Sequence, residues 1–262
     1  MITNSNNFRL DFGNLPMLEA AVRLSFGTPV GLSFRLINDV AKQIKKDFPL
    51  LEEPRQFEVA PGVEGKFEIG PNQITGALFT GNQKGLCITL QGQVIVVRWL
   101  KQGNPGAPDY PRFAALSDAM WKAHSALQLT CEDNNRPIHV INMSYVNFLQ
   151  LPHASPVLER YFSDIVQVKA TAKAQQIQNI GISWRDHEGT DLRFSLEQVT
   201  AQIKQEKVEG YRLTTAAGRL FSGLDNEREI LDQIHLRLQL FFRDLLSDAA
   251  KEEWQLKEVK DG

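Results

Sequence analysis

Two short segments of this 262-residue chain hold the side chains best suited to recognition. In Ile138–Leu149, apolar residues fall on both faces, and Asn142, Tyr145 and Asn147 add hydrogen-bonding groups. A strand apolar on both faces belongs at the centre of a sheet, and a buried amide there must find partners or face a cavity. In the commoner arrangement the amides are satisfied by backbone capping within the sheet. In the other, Asn142, Tyr145 and Asn147 line a pocket for a ligand or a partner. In Leu18–Phe26, Glu19 and Arg23 share the polar face. They either line a groove or form a charge contact between strands, the latter being the usual role of such pairs.

The rest of the chain offers little recognisable chemistry. It contains no Gly-x-Gly-x-x-Gly, no phosphate-loop Gly-Lys-Ser/Thr, no Gly-x-Ser-x-Gly and no His-Glu-x-x-His. The five histidines (His124, His139, His153, His187 and His235) include no pair four apart on a helix, which a helix-borne metal site requires. His124 and His235 fall on or beside apolar helical stripes and read as core or boundary residues. Asp186-His187-Glu188 has metal-binding side chains, but Gly189 marks a solvated hairpin tip. Lys42, Lys45 and Lys46 read as a solvated helix face before they read as a contact for nucleic acid or an acidic partner. The four tryptophans read as packing anchors. Cys87 and Cys131 form no Cys-x-x-Cys, and two such thiols fit a reducing cytoplasm. Neither a catalytic residue, a metal site nor a cofactor is expected.

Hydrophobic periodicity supplies the elements that must position these residues. Leu18, Ala20, Val22, Leu24 and Phe26 alternate with smaller or polar residues, predicting a strand. Leu36, Ile37, Val40, Ala41, Ile44 and Phe48 recur at helical spacing up to Pro49. Strand patterns return from Gln56 to Leu100, with hairpin-length linkers at Gly81–Gly85 and Gln91–Gln93. Pro111 is expected in the first turn of a second helix bearing Phe113, Leu116, Met120, His124 and Leu127 on one stripe. After the strand at Ile138–Leu149 come a helix at Pro156–Val166 and strands at Ile177–Trp184, Leu192–Val199 and Tyr211–Phe221. The strongest pattern is a helix with Ile230, Leu231, Ile234, Leu238, Phe241, Phe242, Leu245 and Leu246 on one stripe, capped by Asn226. Residues 1–14 are expected to be flexible, and the charged tail 255–262 to fray.

These patterns predict an α+β fold of two similar halves, 15–131 and 137–254, each reading strand, helix, strands, helix. Val22-Arg23-Leu24-Ser25-Phe26 aligns with Ile141-Asn142-Met143-Ser144-Tyr145, which suggests an internal duplication. Antiparallel sheets packed on long helices would give a TATA-binding-protein-like or helix-grip-like topology, a comparison of topology that confers no function. Three segments together carry a family resemblance. They are Leu15-Pro16-Met17-Leu18-Glu19-Ala20-Ala21-Val22; Tyr110-Pro111-Arg112-Phe113 with Ser144-Tyr145-Val146-Asn147 and Leu151-Pro152; and the helix running from Leu231-x-x-x-His235 through Phe241-Phe242 to Trp254. In this order they resemble a sporadically distributed family of uncharacterised prokaryotic proteins of about this length, over residues 15–254. That family usually has aromatic-Pro-x-Trp-x-x-Phe and then Arg-Tyr-x-Asn in the middle. Here Phe113 sits near the tryptophan position and Ser144 replaces the arginine. The resemblance implies a scaffold and no particular activity.

Composition narrows the function classes. With 42% hydrophobic residues, 29 Lys+Arg against 31 Asp+Glu and a formal charge of -2, disorder and polybasic nucleic-acid binding are both disfavoured. The N-terminus has no signal-peptide pattern, and no apolar run approaches the ~20 residues needed to span a bilayer. The expectation is a cytoplasmic protein that engages a protein partner, in a mobile-element or defence setting by resemblance. The alternatives are a small-ligand module with a cavity between sheet and helix, an enzyme with a non-standard site, and a nucleic-acid binder.

Overall fold

The computed structural model of the chain describes residues 8–12, 16–29, 31–52, 76–101, 110–131, 137–150, 160–163, 179–203, 206–221 and 226–260. In chain order the strands and helices of the first part are β1 (Phe8–Phe12), β2 (Met17–Phe26), α1 (Phe34–Ile44), β3 (Leu50–Glu52), β4 (Gly76–Thr80), β5 (Leu86–Gln91), β6 (Val94–Leu100) and α2 (Arg112–Thr130). There follow β7 (Ile138–Gln150), β8 (Asn179–Arg185), β9 (Asp191–Ile203), β10 (Glu206–Leu220), α3 (Glu227–Leu245), α4 (Asp248–Glu253) and β11 (Leu256–Lys260). Nine strands form one antiparallel sheet in the order β3-β4-β5-β6-β2-β7-β10-β9-β8, so the fold is α+β with a large antiparallel sheet.

Period-two patterning sets which way each strand faces. Ala20, Val22, Leu24 and Phe26 of β2 and Ile141, Met143 and Tyr145 of β7 point into the main core with the apolar stripes of α1, α2 and α3. Within α3, Ile230, Leu231, Ile234, Leu238, Phe242 and Leu245 are buried. Each such burial is worth ~1.5–3 kcal/mol, so packing rather than intrinsic propensity holds the helix. Asn226 caps it as expected, its side chain accepting from the Arg228 N–H at 3.1 Å. A second cluster, with Phe162, Phe194, Leu196, Leu213, Phe242 and Trp254, fills the space between β9, β10 and the C-terminal end of α3.

The structure departs from the sequence patterns at several places. Pro111 does not enter α2; it precedes the helix, and Arg112 after it adopts φ 73°, a left-handed conformation that costs ~1–2 kcal/mol in a non-glycine residue. This reversal separates Tyr110 from Phe113, both of which pack on the core. Within the tail, β11 pairs antiparallel with β1, Phe8 opposite Lys260 and Phe12 opposite Leu256, in a separate two-stranded sheet. Pairing between the two ends of a chain leaves no local signal, because neither five-residue segment carries a diagnostic period. Both β9 and β10 outrun their apolar patterns, extending to Ile203 and back to Glu206. Of the helix expected at Pro156–Val166, only 160–163 lie among the described residues; there Phe162 bridges to Leu246. The strand pattern from Gln56 up to 75 and His153 also lie outside them.

Candidate functional site

The two faces of the central strands differ in chemistry. On the face turned away from the helices, Glu19, Ala21, Arg23 and Ser25 of β2 lie beside Val146, Ser144, Asn142 and Val140 of β7. On the other flank of β2 they lie beside Leu100, Arg98, Val96 and Val94 of β6. Further out, β10 contributes Arg212, Thr214, Ala216 and Gly218, β9 contributes Asp191, Arg193, Ser195 and Glu197, and β8 contributes Gly181, Ser183 and Arg185. No described helix packs here. Its small apolar cluster, Ala21, Val94 and Val96, contains strand residues alone. Burial grades across this second face, from Val96 at 2% exposure on β6 to exposed Arg193, Ser183 and Arg185 on β9 and β8.

From β6 to β8, the described side chains of this face include five arginines and no lysine. Three arginines meet the three carboxylates. Arg98 Nε lies 3.0 Å from Glu19 Oε1, Arg212 Nη2 donates to Glu197 Oε2, and Arg185 holds Asp191 bidentately, Nε to Oδ1 at 2.7 Å and Nη2 to Oδ2 at 3.0 Å. That fork holds the Asp191 carboxyl below the usual carboxylate range. Glu19 moves the other way: burial raises it, against the opposing pull of Arg98 and Arg212. Arg193 and Arg23 remain as surplus cations. Burial lowers Arg23, whose Nε and Nη2 have no hydrogen-bond partner among the described residues.

Two glycines of β10 give this face its shape. A Cβ at Gly218 would stand 1.8 Å from Asn142 Oδ1, and one at Gly210 would stand 2.5 Å from Phe148 Cζ. The Asn142 amide and the Phe148 ring therefore lean over β10 into space that any side chain would fill. Asn142 thus leans away from its other neighbour, Arg23, directly opposite on β2.

The helix-side face holds a different polar group. Asn147 is fully buried, and neither its Nδ2 nor its Oδ1 has a partner among the described residues. Thr215 Oγ1 is in the same position. Tyr145 pairs with Thr215 across the strands and Asn147 with Leu213, so Asn147 and Thr215 are diagonal neighbours on one face. Tyr110 meets Tyr145 edge to face, ring centroids 6.3 Å apart, and Trp99 likewise at 5.4 Å. Burial pushes the Tyr110 hydroxyl up to about 12 and, with Tyr110 beside it, holds Tyr145 well above the ordinary phenol value. Three residues after Tyr110, the Phe113 ring stacks on His235 of α3 at 3.8 Å. Tyr110 with Tyr145 and Phe113 with His235 thus pack together around the start of α2.

The five candidate residues accordingly divide. Glu19, Arg23 and Asn142 share the second face; Tyr145 and Asn147 share the helix side, so a single pocket does not collect all three of Asn142, Tyr145 and Asn147. Parity in a strand already separates 142 from 145 and 147. Arg98, Arg185, Arg193, Arg212, Asp191, Glu197 and Thr215 join these groups only through long-range register, which no local pattern encodes.

The remaining candidates take structural roles. Asp186 Oδ1 accepts from the N–H groups of Glu188 and Thr190 in a hairpin turn where Gly189 has φ 82°, and Asp186 and Glu188 both meet Arg237 of α3. Among the described residues, no group of three or more His, Cys, Asp or Glu is placed to hold a metal ion. Lys42 pairs with Asp39 at 2.8 Å. His124 lies 3.1 Å from Gln128 and is lowered by burial. Cys87 is half-buried and Cys131 buried. No described helix is long and apolar enough to cross a membrane. No protein-family model and no curated protein sequence matches the chain.

Proposed function

We propose that this chain is a binding and regulatory protein that docks another protein on the second face of its sheet. The observation that carries this reading is the charge pattern there: arginine forks interleaved with carboxylates on β6, β2, β10, β9 and β8, on a face without a described helix. Arginine suits interfaces because its planar fork is weakly hydrated and recognises carboxylates bidentately. The alternation of sign favours a partner with charges of both kinds. A nucleic acid presents one sign only, and three of the five arginines here are already matched to carboxylates.

The platform is read as an internal duplication with TATA-binding-protein-like topology. In support, the strand order runs outward from the β2/β7 pair in the same sense on both sides, last strand of each half first. The aligned positions Arg23 and Asn142 are also direct cross-strand partners, so a twofold axis would pass between them. Two cysteines without a Cys-x-x-Cys spacing fit a reducing cytoplasm. The family resemblance suggests a mobile-element or defence setting for the partner.

Asn147 and Thr215 favour a second reading. Fully buried hydrogen-bonding groups without described partners suit a small uncharged polar ligand held between the sheet and α3. Co-purification from the native host, with mass spectrometry of both proteins and small molecules, separates the two. A protein recovered by the wild type and lost from Arg193→Glu/Arg212→Glu supports docking on the second face. Reproducible recovery of a small molecule without a protein supports the second reading, and recovery of neither contradicts both.

A further inference from the structure

Arg23 differs from the other arginines of the second face. It lies in a central strand, directly between Asn142 of β7 and Val96 of β6. Glu19, four residues along the same strand, is ~13 Å away by strand rise and stands against Arg98. Asp191, three strands across, is ~14 Å away by strand spacing and is held by Arg185. Neither of these carboxylates reaches Arg23. The two nitrogens without a described partner, Nε and Nη2, form one edge of the guanidinium. With that same edge Arg185 grips both oxygens of Asp191, at 2.7 and 3.0 Å. The protein thus shows the bond that this edge makes when a carboxylate is present, and leaves an identical edge unused at the centre of the face.

Building on the docking reading above, we propose that the Nε/Nη2 edge of Arg23 is the seat for a carboxylate of the protein partner, an Asp or Glu side chain gripped bidentately beside Asn142. In the free chain this edge is closed to solvent, so engagement requires the long side chain to turn its fork outward. Buried donors without an acceptor are costly to the free state, and forming the bond removes that cost. The strand residues around it (Ala21, Ser25, Ser144 and Ala216) are small, and Gly218 lets Asn142 lie back over β10, away from the guanidinium. A carboxylate fits better than a nucleic-acid phosphate, because three of the five arginines are already matched to Glu19, Glu197 and Asp191 and leave few cations for the phosphates that follow along a strand.

The test uses the full chain and small probes. The arginine Nε–H resonances are followed by NMR while N-acetylglutamate amide, or in a separate arm inorganic phosphate, is added. The expected result is a saturable shift confined to the Arg23 Nε–H with the glutamate probe. Arg23→Lys, which keeps the charge and loses the fork, weakens binding about tenfold, and Arg23→Gln abolishes it. Gly218→Ala, which drives Asn142 off β10 and leaves Arg23 itself untouched, changes the affinity while the Arg23 signal remains. Equal shifts at Arg23, Arg185, Arg193 and Arg212, a response to phosphate alone, or no response at all each overturn the seat. None of these bears on whether a protein docks, which the capture experiment reads separately. A full Arg23 response with no protein captured overturns the assignment of the carboxylate to a protein partner.

Discussion

Acid stability offers a quantitative test of the packing where α2 meets α3. His235 lies flat on Phe113, ring centroids 3.8 Å apart and planes within 11°, and burial pushes its pKa down to about 3 from an ordinary 6.5. Between those values the unfolded chain binds a proton at this site and the folded chain does not. Stability therefore rises with pH across that window, by ~1.4 kcal/mol per unit. It is complete above pH 6.5 and is lost progressively as the pH falls towards 3. At pH 5, one and a half units below the ordinary value, the loss from this one group is about 2 kcal/mol. His124, also lowered by burial, adds to the loss, while the raised carboxyls of Glu19, Glu227 and Asp232 oppose it. Comparison with a variant cancels these shared contributions. His235→Phe keeps the ring stack and removes the proton. Urea unfolding from pH 8 to pH 4 should show the variant losing about 2 kcal/mol less than the wild type by pH 5. Parallel acid limbs for the two proteins would refute the buried, neutral His235.

Other perturbations probe the hairpins, the buried amide and the thiols. Gly85 has φ 81°, and a Cβ there would stand 2.2 Å from the Leu100 carbonyl oxygen, so Gly85→Ala should cost at least about 2 kcal/mol in urea unfolding; a loss below about 0.5 kcal/mol would contradict this geometry. The Asn147 amide has no partner among the described residues, so Asn147→Leu should be neutral or stabilise the fold by up to about 1 kcal/mol. A loss of about 1–3 kcal/mol would instead mean that the amide holds a water or a ligand. Burial pushes the Cys87 thiol up to about 11 from 9.0, leaving about a hundredfold less thiolate at pH 8. Alkylation should therefore be correspondingly slower in the folded than in the unfolded protein, and equal rates would contradict the burial.

Elements whose periodicity is local could be read from the residues. β2 and β5 alternate and β6 opens with a continuous apolar run after a turn, which places all three within a residue or two, and the stripe of α3 with its Asn226 cap locates that helix. Parts that depend on distant partners could not. The pairing of β1 with β11 joins the two ends of the chain, and the arginine–carboxylate ladder joins Arg98 to Glu19, Arg212 to Glu197 and Arg185 to Asp191 across hairpins and between strands far apart in sequence. Glu19, Arg23 and Asn142 stood out because polar side chains are conspicuous in apolar strands. Their five charged neighbours on β8, β9 and β10 did not, because each looks like an ordinary solvent-facing residue until register sets it beside the others. Proximity in sequence groups Asn142 with Tyr145 and Asn147, although odd and even positions of one strand face opposite ways.

The central claim is that a partner protein docks on the second face of the sheet. Its most direct test is quantitative capture from the native host with three baits: wild type, Arg193→Glu/Arg212→Glu on the second face, and Lys45→Glu/Lys46→Glu at the solvent-exposed end of α1. The account predicts that the wild type and the helix-side variant recover the same protein in equal amount, and that the second-face variant loses it while remaining cooperatively folded. Equal recovery by all three baits, or loss with the helix-side variant alone, would contradict it.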